Sequence, residues 1–388
     1  MRGKLLKSMY GTRDAASNWE DCYMDFAVKV GFKSGIASPC VFKHESRRLW
    51  LTVHGDDFTL LGSDFDLDWF EKKIKEEFEV KVRGRLGPGE EDMKAIRILN
   101  RIIEWTEEGL RYEADQRHAE IIVKELGLEG GKVRTEVPGE RFPVEEGDEV
   151  ELAHDMTKQY QALTPRANYL AQDRSDIQFA VKELARTMSK PTVGSWKGLI
   201  KLGKYLKYHD RSSYVYQYQD LPQELTIWTD TDYAGCKRTR KSTSGGVVMW
   251  GRHLIKSWSS TQSVIALSSG EAEYYGLVKG SSVGMGLQSA LKDFDVEVKL
   301  TVKSDATAAI AIASRRGLGK VRDIEVCQLW LQQKVKDGTI RIVKVGTHEN
   351  VADALTKYVS RESMNMHLQN THQTSLTGRH ELAPATEC

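Results

Sequence analysis

The stretch LTIWTDTDYAG, residues 225–235, decides how the second half of the chain is interpreted. An apolar, β-prone run ends in two acidic residues, Asp230 and Asp232, and Gly235 follows shortly after them. Aspartate favours the turn that ends a strand, which is the ordinary explanation. Two neighbouring carboxylates also repel each other, and a divalent cation between them would relieve that repulsion. The stretch by itself leaves both interpretations open, a strand-ending turn and a metal site.

The bulk composition indicates a globular protein without a membrane anchor. The chain has 388 residues, of which 40% are hydrophobic and 29% charged, and this length predicts two or three domains. It contains no run of about 18 apolar residues, so we expect no transmembrane helix. The apolar run at the N-terminus is too short for a secretory signal. The 56 basic and 55 acidic residues balance, which neither requires nor excludes a nucleic-acid partner.

The five cysteines are scattered along the chain, and no pair has the spacing of a metal-binding motif. We therefore expect reduced thiols and an intracellular protein. The cysteines do not distinguish a cytoplasmic particle from the nucleus.

The hydrophobic pattern predicts a mixture of helices and strands in several domains. Residues 49–63 predict two strands with Asp56 and Asp57 at the tip of the hairpin between them. Residues 137–155 are acidic and contain prolines, which indicates a linker or an exposed loop. After Tyr214 strands and helices alternate, as in an α/β or α+β fold. From about Arg361 the chain is polar and poor in aliphatic residues, and it predicts a disordered tail.

Four acidic residues stand out in the segment after Tyr214. Asp230 and Asp305 each end a predicted strand, Glu273 lies in the first turns of a long predicted helix, and Asp353 opens a final predicted helix. Each has an ordinary explanation, as a turn former or as an acid that complements a helix dipole. Acids at the ends of adjacent strands in an open α/β sheet nevertheless converge on one edge. Oxygen-only ligands predict magnesium there, with manganese as the substitute.

The order of these elements resembles ribonuclease H, and the local sequence motifs resemble those of the ribonuclease H of Ty1/copia-type retrotransposon Pol polyproteins. The motifs that carry the resemblance are DTDYAGCKRTRKSTSGG at 230–246, IALSSGEAEYYGL at 265–277 and THENVADALTK at 347–357. The resemblance implies that Asp230, Glu273, Asp305 and Asp353 are catalytic and hold two Mg²⁺ ions. It also implies metal-dependent hydrolysis of RNA in RNA–DNA hybrids. His348 is the candidate for a histidine that assists product release, with a surface-loop residue as the alternative.

The first half resembles the reverse transcriptase of the same family. The run from 7 to 42, the stretch VHGDDFTLLGS at 53–63 and the region 168–192 carry this resemblance. It implies that Asp56 and Asp57 are the polymerase-type acidic pair. In the family the first palm aspartate lies upstream of the stretch with which this chain begins. We therefore expect the polymerase part to be incomplete and this chain by itself not to synthesise DNA.

Taken together, the motifs predict an α+β or α/β multidomain protein, in which a partial palm and thumb precede a ribonuclease H-like mixed sheet with flanking helices. The predicted domains are the palm end and thumb at 1–136, truncated at the N-terminus, a linker and connection region at 137–222, the ribonuclease H-like domain at 223–360 and a disordered tail at 361–388.

Two groups of basic residues are candidates for contacts with nucleic-acid phosphates. Lys237, Arg238, Arg240 and Lys241 directly follow the first acidic strand, where they either neutralise phosphates or form a solvated loop. Lysines also line one face of the helix predicted around Trp196, at positions 197, 201, 204 and 207. That face either follows a nucleic-acid backbone or is simply solvated.

Two other functions remain open at this point. The first is a decayed, non-catalytic remnant of a retroelement that only binds nucleic acid. The second is an integrase-like strand transferase on the same fold, which the early helix glutamate Glu273 disfavours. Cleavage of an RNA–DNA hybrid with added magnesium separates the first from an active nuclease, and strand transfer into duplex DNA identifies the second.

Overall fold

The structure, a computed structural model, describes residues 8–9, 11–130, 134–143, 145–317, 324 and 328–386. The chain divides into two compact units, Met1–Arg83 with Met285–Val298, and Gly84–Gly284 with Lys299–Cys388. The predicted domain boundaries stay predictions. In the described part of the chain, no helix combines the length and the apolar character needed to cross a membrane.

The helices of the described residues are α1 (Ala15–Lys29), α2 (Asp64–Glu77), α3 (Gln116–Glu125), α4 (His154–Leu170), α5 (Gln178–Ala185), α6 (Val193–Tyr208), α7 (Ser269–Asp293), α8 (Thr307–Ser314), α9 (Trp330–Lys336) and α10 (Arg361–Asn370). The strands are β1 (Phe32–Ser34), β2 (Val41–His44), β3 (Leu49–His54), β4 (Asp57–Gly62), β5 (Ala95–Ile98), β6 (Arg101–Thr106), β7 (Gly109–Glu113), β8 (Arg211–Gln217), β9 (Glu224–Asp232), β10 (Thr243–Trp250), β11 (His253–Thr261), β12 (Lys299–Ser304), β13 (Ile340–Lys344) and β14 (Gln373–Leu376). The predicted mixed α+β class is confirmed.

The first unit contains an antiparallel four-stranded sheet in the order β1-β2-β3-β4. The alternation of buried and exposed residues along β3 turns one face of the sheet toward α1 and α2, and Phe26, Phe42 and Phe70 meet in that core. A two-residue loop joins β3 to β4, and Gly55 there has φ +62°, which glycine adopts at little cost. The predicted hairpin with the acidic pair at its tip is therefore present.

The second unit contains a mixed five-stranded sheet in the order β11-β10-β9-β12-β13. Strands β9, β10 and β11 pair antiparallel, whereas β12 is parallel to both β9 and β13. Parallel neighbours need a crossover between them, which α7 provides for β9 and β12 after the β10–β11 hairpin. The central position of β9 and its parallel partner brings the ends of both strands to the same edge of the sheet.

A second, antiparallel sheet in this unit has the order β14-β8-β7-β6-β5. Helices α3 to α6 bury a core of their own, in which Tyr160, Leu163, Leu199 and Leu202 are almost wholly inaccessible. Helix α6 begins with a capping box between Thr192 and Ser195, which fixes the N-terminus of the predicted helix.

The prediction of a disordered tail from residue 361 is wrong. Helix α10 and strand β14 form there, and β14 pairs with β8. The reason is that polar residues of this segment find buried partners. Gln373 donates to Asp176 Oδ1 at 2.7 Å, and His367 lies 2.9 Å from the Val351 carbonyl oxygen and 2.8 Å from Ser175 Oγ.

Candidate metal centre

Two of the predicted acids lie side by side because their strands are parallel neighbours. Lys303 of β12 is opposite Trp228 of β9, so the same register continued by two residues sets Asp305 opposite Asp230. Asp230 is a buried residue near the end of β9, and Asp305 follows directly after the last residue of β12. The convergence at one sheet edge that the sequence predicts is thus present for this pair.

Glu273 reaches the same edge from α7, which lies unusually close to β9. Three glycines recur every fourth residue on the face of α7 toward the sheet, Gly276, Gly280 and Gly284. A Cβ atom at the first two would overlap the side chains of Thr231 and Thr229. Because side chains three and four apart share a helix face, the glycine row lets the helix approach and turns Glu273 toward Asp230.

The carboxylates of Asp230, Glu273 and Asp305 each offer an oxygen, and these three oxygens all lie within 4.8 Å of one another. Glu273 Oε2 is buried and has no hydrogen-bond partner among the described residues. Burial, together with the charges of Asp230 and Asp305, raises the pKa of Glu273 to about 9. Burial also raises the pKa of Asp230 to about 6, and Thr356 offsets part of that rise.

Asp353 lies beside this trio rather than within it. Its charge contributes to the raised pKa of Asp230, and it forms an ion pair with Lys357. The final helix predicted to begin at Asp353 is wrong, because only a 3₁₀ turn spans Asp353–Leu355 and α10 begins at Arg361. The structure therefore brings three of the four predicted acids together and holds the fourth next to them.

The two residues after this turn are polar, and the sequence alone assigned neither to the site although both end the motif at 347–357. Thr356 is fully buried and donates its hydroxyl hydrogen bond to Asp230 Oδ2. Lys357 follows it, and the negative charges of Asp353, Asp230 and Asp305 raise its pKa. The spacing of four residues between Asp353 and Lys357 is the signal that could have indicated their ion pair.

Neighbouring acids in the two sequence motifs have structural roles. Asp232 accepts a hydrogen bond from the backbone N–H of Thr243, as a strand-ending aspartate does. Glu271 accepts one from the backbone N–H of Leu267 at 2.7 Å and another from the Tyr275 hydroxyl at 2.9 Å. Of the two acids in each motif, the structure thus leaves Asp230 and Glu273 for the metal centre.

The other predicted site residues lie apart from the trio. Asp56 and Asp57 occupy the hairpin of the first unit, where Asp57 pairs with Arg83 at 2.8 Å. His348 is exposed in a 3₁₀ turn and belongs to no metal-binding group of the described residues. Lys237, Arg238 and Arg240 are exposed in the loop between β9 and β10, and Lys241 is half-buried there.

The residues present fit a divalent cation. The trio provides only oxygen ligands, which hard cations such as Mg²⁺ prefer over zinc. The unpartnered Oε2 of Glu273 is the second indication, because a buried carboxylate oxygen without a partner is costly unless a cation or a proton satisfies it. Asp230, Glu273 and Asp305 could therefore hold a metal ion, with Asp353 adjacent to them.

No protein-family model matches the chain. Its sequence is 26% identical to the retrovirus-related Pol polyprotein from transposon RE2 of Arabidopsis thaliana over 92% of this chain and 24% of that protein. The corresponding polyprotein from transposon TNT 1-94 of Nicotiana tabacum is 26% identical over 94% of this chain and 27% of its own length. The transposon Ty1-BL Gag-Pol polyprotein of Saccharomyces cerevisiae is 22% identical over 91% and 21%. The chain thus spans about a quarter of the length of the curated relatives it matches.

Similar solved structures include the ribonuclease H1 LC11 in complex with an RNA/DNA hybrid, which is 16% identical, has a TM-score of 0.26 and covers 37% of this chain and 99% of its own. A foamy viral protease-reverse transcriptase in complex with an RNA/DNA hybrid is 11% identical, has a TM-score of 0.47 and covers 87% of this chain and 39% of its own. The fold class given above follows from strand order and register alone. The sequence similarity, which covers 92% of the chain, confirms the resemblance that the motifs predict: the chain is similar to the Pol polyproteins of Ty1/copia-type retrotransposons.

Proposed function

We propose that this chain hydrolyses the RNA strand of RNA–DNA hybrids at the metal centre, with Mg²⁺ as the cofactor and Mn²⁺ as a substitute. One observation carries the proposal. Asp230, Glu273 and Asp305 come from three separate elements, yet their carboxylate oxygens lie within 4.8 Å of one another. Such a concentration of negative charge is unfavourable without bound cations, and phosphodiester hydrolysis is the chemistry for which paired cations are commonly used.

The residues of this centre divide into ligands and groups that orient the ligands. Asp230, Glu273 and Asp305 would bind the metal, with Asp353 as the fourth ligand. Two divalent ions bound there would supply an activated water and stabilise the leaving 3′-oxygen. Thr356 holds the Asp230 carboxylate in place through its hydroxyl, and Lys357 holds Asp353 through their ion pair. Such supporting contacts fix the direction of each ligand oxygen before the metal binds.

The loop between β9 and β10 is the proposed contact with the phosphate backbone. Its basic side chains Lys237, Arg238 and Arg240 are exposed. The loop follows β9, and Asp230 lies near the end of that strand at the edge of the sheet. The described residues include no acidic partner for these three side chains within ion-pair distance. These three side chains could therefore bind phosphates. The protein would recognise a hybrid by its A-like shape and its 2′-hydroxyls, and not by its base sequence.

The relatives support a role in nucleic-acid processing, since each is named as a Pol polyprotein. The proposal concerns the nuclease part of such a polyprotein. That this chain alone does not extend a primer stays a prediction, and a primer-extension assay with the purified protein tests it.

Cleavage of a labelled RNA–DNA hybrid, with and without Mg²⁺, tests the proposal. The Asp305→Asn variant should lose cleavage by more than about 100-fold, because it removes a ligand charge while keeping the size of the side chain. The matched control is Asp220→Asn, an exposed acid before the opposite end of β9. Metal-independent cleavage, or full cleavage by Asp305→Asn, would refute the proposal. Hybrid binding without any cleavage would instead support the non-catalytic remnant.

A further inference from the structure

Helix α6 carries a row of lysines on the side that faces away from the protein core. Lys197, Lys201 and Lys204 are spaced four and three residues apart, so they share one face, called here the α6 lysine face. The opposite side of the helix is apolar, and Leu199 and Leu202 there are fully buried. The side chains of Lys197 and Lys201 are 37% and 17% exposed, so their stems lie along the helix surface while their ammonium groups form ion pairs.

An acidic loop covers part of this face. Residues 140–149, the acidic loop, contain five acidic residues and a single arginine. Lys201 pairs with Glu140 at 2.9 Å, and Lys197 pairs with Asp148 at 2.9 Å and also with Glu145. The segment that the sequence identifies only as a linker or an exposed loop thus places its carboxylates against the lysines of α6.

The attachment of the loop differs between its two halves. Near its end, the backbone N–H of Gly194 donates to the Asp148 carbonyl oxygen at 3.0 Å, and that of Val193 donates to Val150 at 2.9 Å. Toward its beginning, the contacts with α6 given by the structure are the side-chain pairs of Glu140 and Glu145. Glu140 and Glu145 are 45% and 65% exposed, and ion pairs that water and salt can reach are weak. This half of the loop is therefore the part that a competing polyanion can displace.

The charges of the loop and the helix do not cancel. Glu146 and Glu149 are exposed and have no ion pair among the described residues, and the half-buried Lys204 of the helix has none there either. A contact whose only purpose was stability would be expected to pair these charges. The surplus of negative charge on the loop instead makes it a local substitute for a polyanion.

We propose that the acidic loop is a tethered competitor of nucleic acid, which occupies the α6 lysine face until the phosphate backbone of an RNA–DNA hybrid displaces its carboxylates. The inference rests on the proposed function for the class of partner, but it concerns a surface outside the metal centre. Its consequence is a weakened affinity for short or weakly charged nucleic acids, because binding must first release the loop.

The start of the loop lies close to the metal centre. Val137, Pro138 and Gly139 line a small cavity together with Lys357 and Tyr358. Lys357 is the residue that pairs with Asp353. A hybrid bound at the metal centre would therefore lie near the three residues that precede the acidic loop.

Binding of a short fluorescein-labelled hybrid, measured by anisotropy in EDTA so that no cleavage occurs, tests the competition. The loop variant combines Glu140→Gln, Glu145→Gln and Asp148→Asn, and the helix variant combines Lys197→Gln and Lys201→Gln. We expect the loop variant to bind several-fold more tightly, with a salt dependence steeper by about two counterions, one for each released lysine. In the helix-variant background, the three loop substitutions should change the affinity no more than a matched control does.

The control removes three exposed acids from the same unit, Glu107→Gln, Glu108→Gln and Asp220→Asn, and so reproduces the change in net charge. An equal gain in affinity for the control and the loop variant would overturn the inference, because the effect would then be long-range electrostatics. A gain for the loop variant that persists in the helix variant would overturn it as well, as would failure of both the wild-type protein and the loop variant to bind.

Amide hydrogen exchange gives a second readout that does not depend on affinity. The amides of Glu145 and Asp148 are bonded within the loop, to Asp148 Oδ2 at 2.9 Å and to the Glu145 carbonyl oxygen at 3.2 Å, so displacement of the first half should speed their exchange when the hybrid binds. Unchanged or slower exchange would contradict displacement. If the hybrid is never cleaved but its binding speeds amide exchange in the loop, the proposed nuclease function fails while the inference stands. If the hybrid is cleaved but its binding does not speed amide exchange in the loop, only the inference fails.

Discussion

Acidic residues gather in both units, but among the described residues those of the second unit form a group that could hold a metal. In the first unit, Asp56 and Asp57 are consecutive residues in a hairpin, and Asp57 is neutralised by Arg83. In the second unit, Asp230, Glu273 and Asp305 are separated by 43 and 32 residues, yet their carboxylate oxygens lie within 4.8 Å. Among the described residues, these three form the group that could hold a metal, and the hairpin pair is not part of any such group.

The difference follows from the way the strands are paired. In an antiparallel hairpin the two strand ends at the turn are consecutive in sequence, so the turn can expose its acids to water and relax their repulsion. In the mixed sheet, β9 and β12 are parallel. The glycines of α7 let this helix pack close to β9, which brings a third acid, Glu273, next to the acids of both strands. Repulsion cannot relax there, because each acid is fixed by a different element. Convergence of distant residues is thus a better sign of a metal site than adjacency in sequence.

The largest expected contrast is in Mg²⁺ binding. Asp230→Asn should weaken Mg²⁺ binding by more than about 100-fold, since even changes to residues that merely support a ligand commonly cost about 10-fold to 100-fold. Asp56→Asn should leave this binding unchanged. Isothermal titration calorimetry of the two variants measures the contrast, and an equal loss in both would remove the distinction between the two regions.

The next contrast is in the pH dependence of stability without metal. The pKa of Glu273 is about 9 in the folded protein, against an ordinary value of 4.5. Between pH 4.5 and 9 the folded protein therefore binds one more proton than the unfolded chain. The free energy of unfolding should therefore fall as the pH rises from 6 to 9, by up to about 1.4 kcal/mol per pH unit. Glu273→Gln should remove this decline, and Asp56→Asn should keep it.

Denaturant unfolding in EDTA at several pH values measures this slope. Asp230, whose pKa is raised to about 6, also releases its proton in the lower part of this window, so the slope above about pH 7 is the one that reports Glu273. Saturating Mg²⁺ should also abolish the decline in the wild-type protein, because the ion replaces the proton as the partner of the carboxylates. A decline of the same size in Glu273→Gln would show that another group titrates there.

The smallest contrast concerns the partners of the two acids. Thr356→Val keeps the shape of a buried side chain but removes its hydrogen bond to Asp230, and cleavage should fall about tenfold. Arg83→Met removes the exposed partner of Asp57, and it should leave cleavage unchanged and alter the free energy of unfolding by less than about 1 kcal/mol. Cleavage rates and denaturant unfolding of both variants test this, with Thr356→Ser as the control that keeps the hydroxyl. Full cleavage by Thr356→Val would show that the threonine has no positioning role.

The failed predictions share one cause. The polar composition of residues 361–386 predicts disorder, and the segment nevertheless folds because Gln373 and His367 complete a buried hydrogen-bond network with Asp176 and Ser175. The helix expected at Asp353 is likewise replaced by a 3₁₀ turn, and Thr356 directly after it donates a hydrogen bond to Asp230. Local composition cannot report partners that lie more than a hundred residues away in sequence.

The amino-acid sequence was enough to predict most strands, the hairpin with its acidic pair and the mixed fold class, and to name Asp230, Glu273 and Asp305 as candidate metal ligands. Periodicity, turn chemistry and motifs are local properties, which is why they can be found without a structure. Only the tertiary structure decided which acids meet, how closely α7 approaches β9, and that the acidic loop lies on the α6 lysine face. The physical reason is that burial, electrostatic repulsion and ion pairing depend on distances in space, which strand pairing and helix packing set.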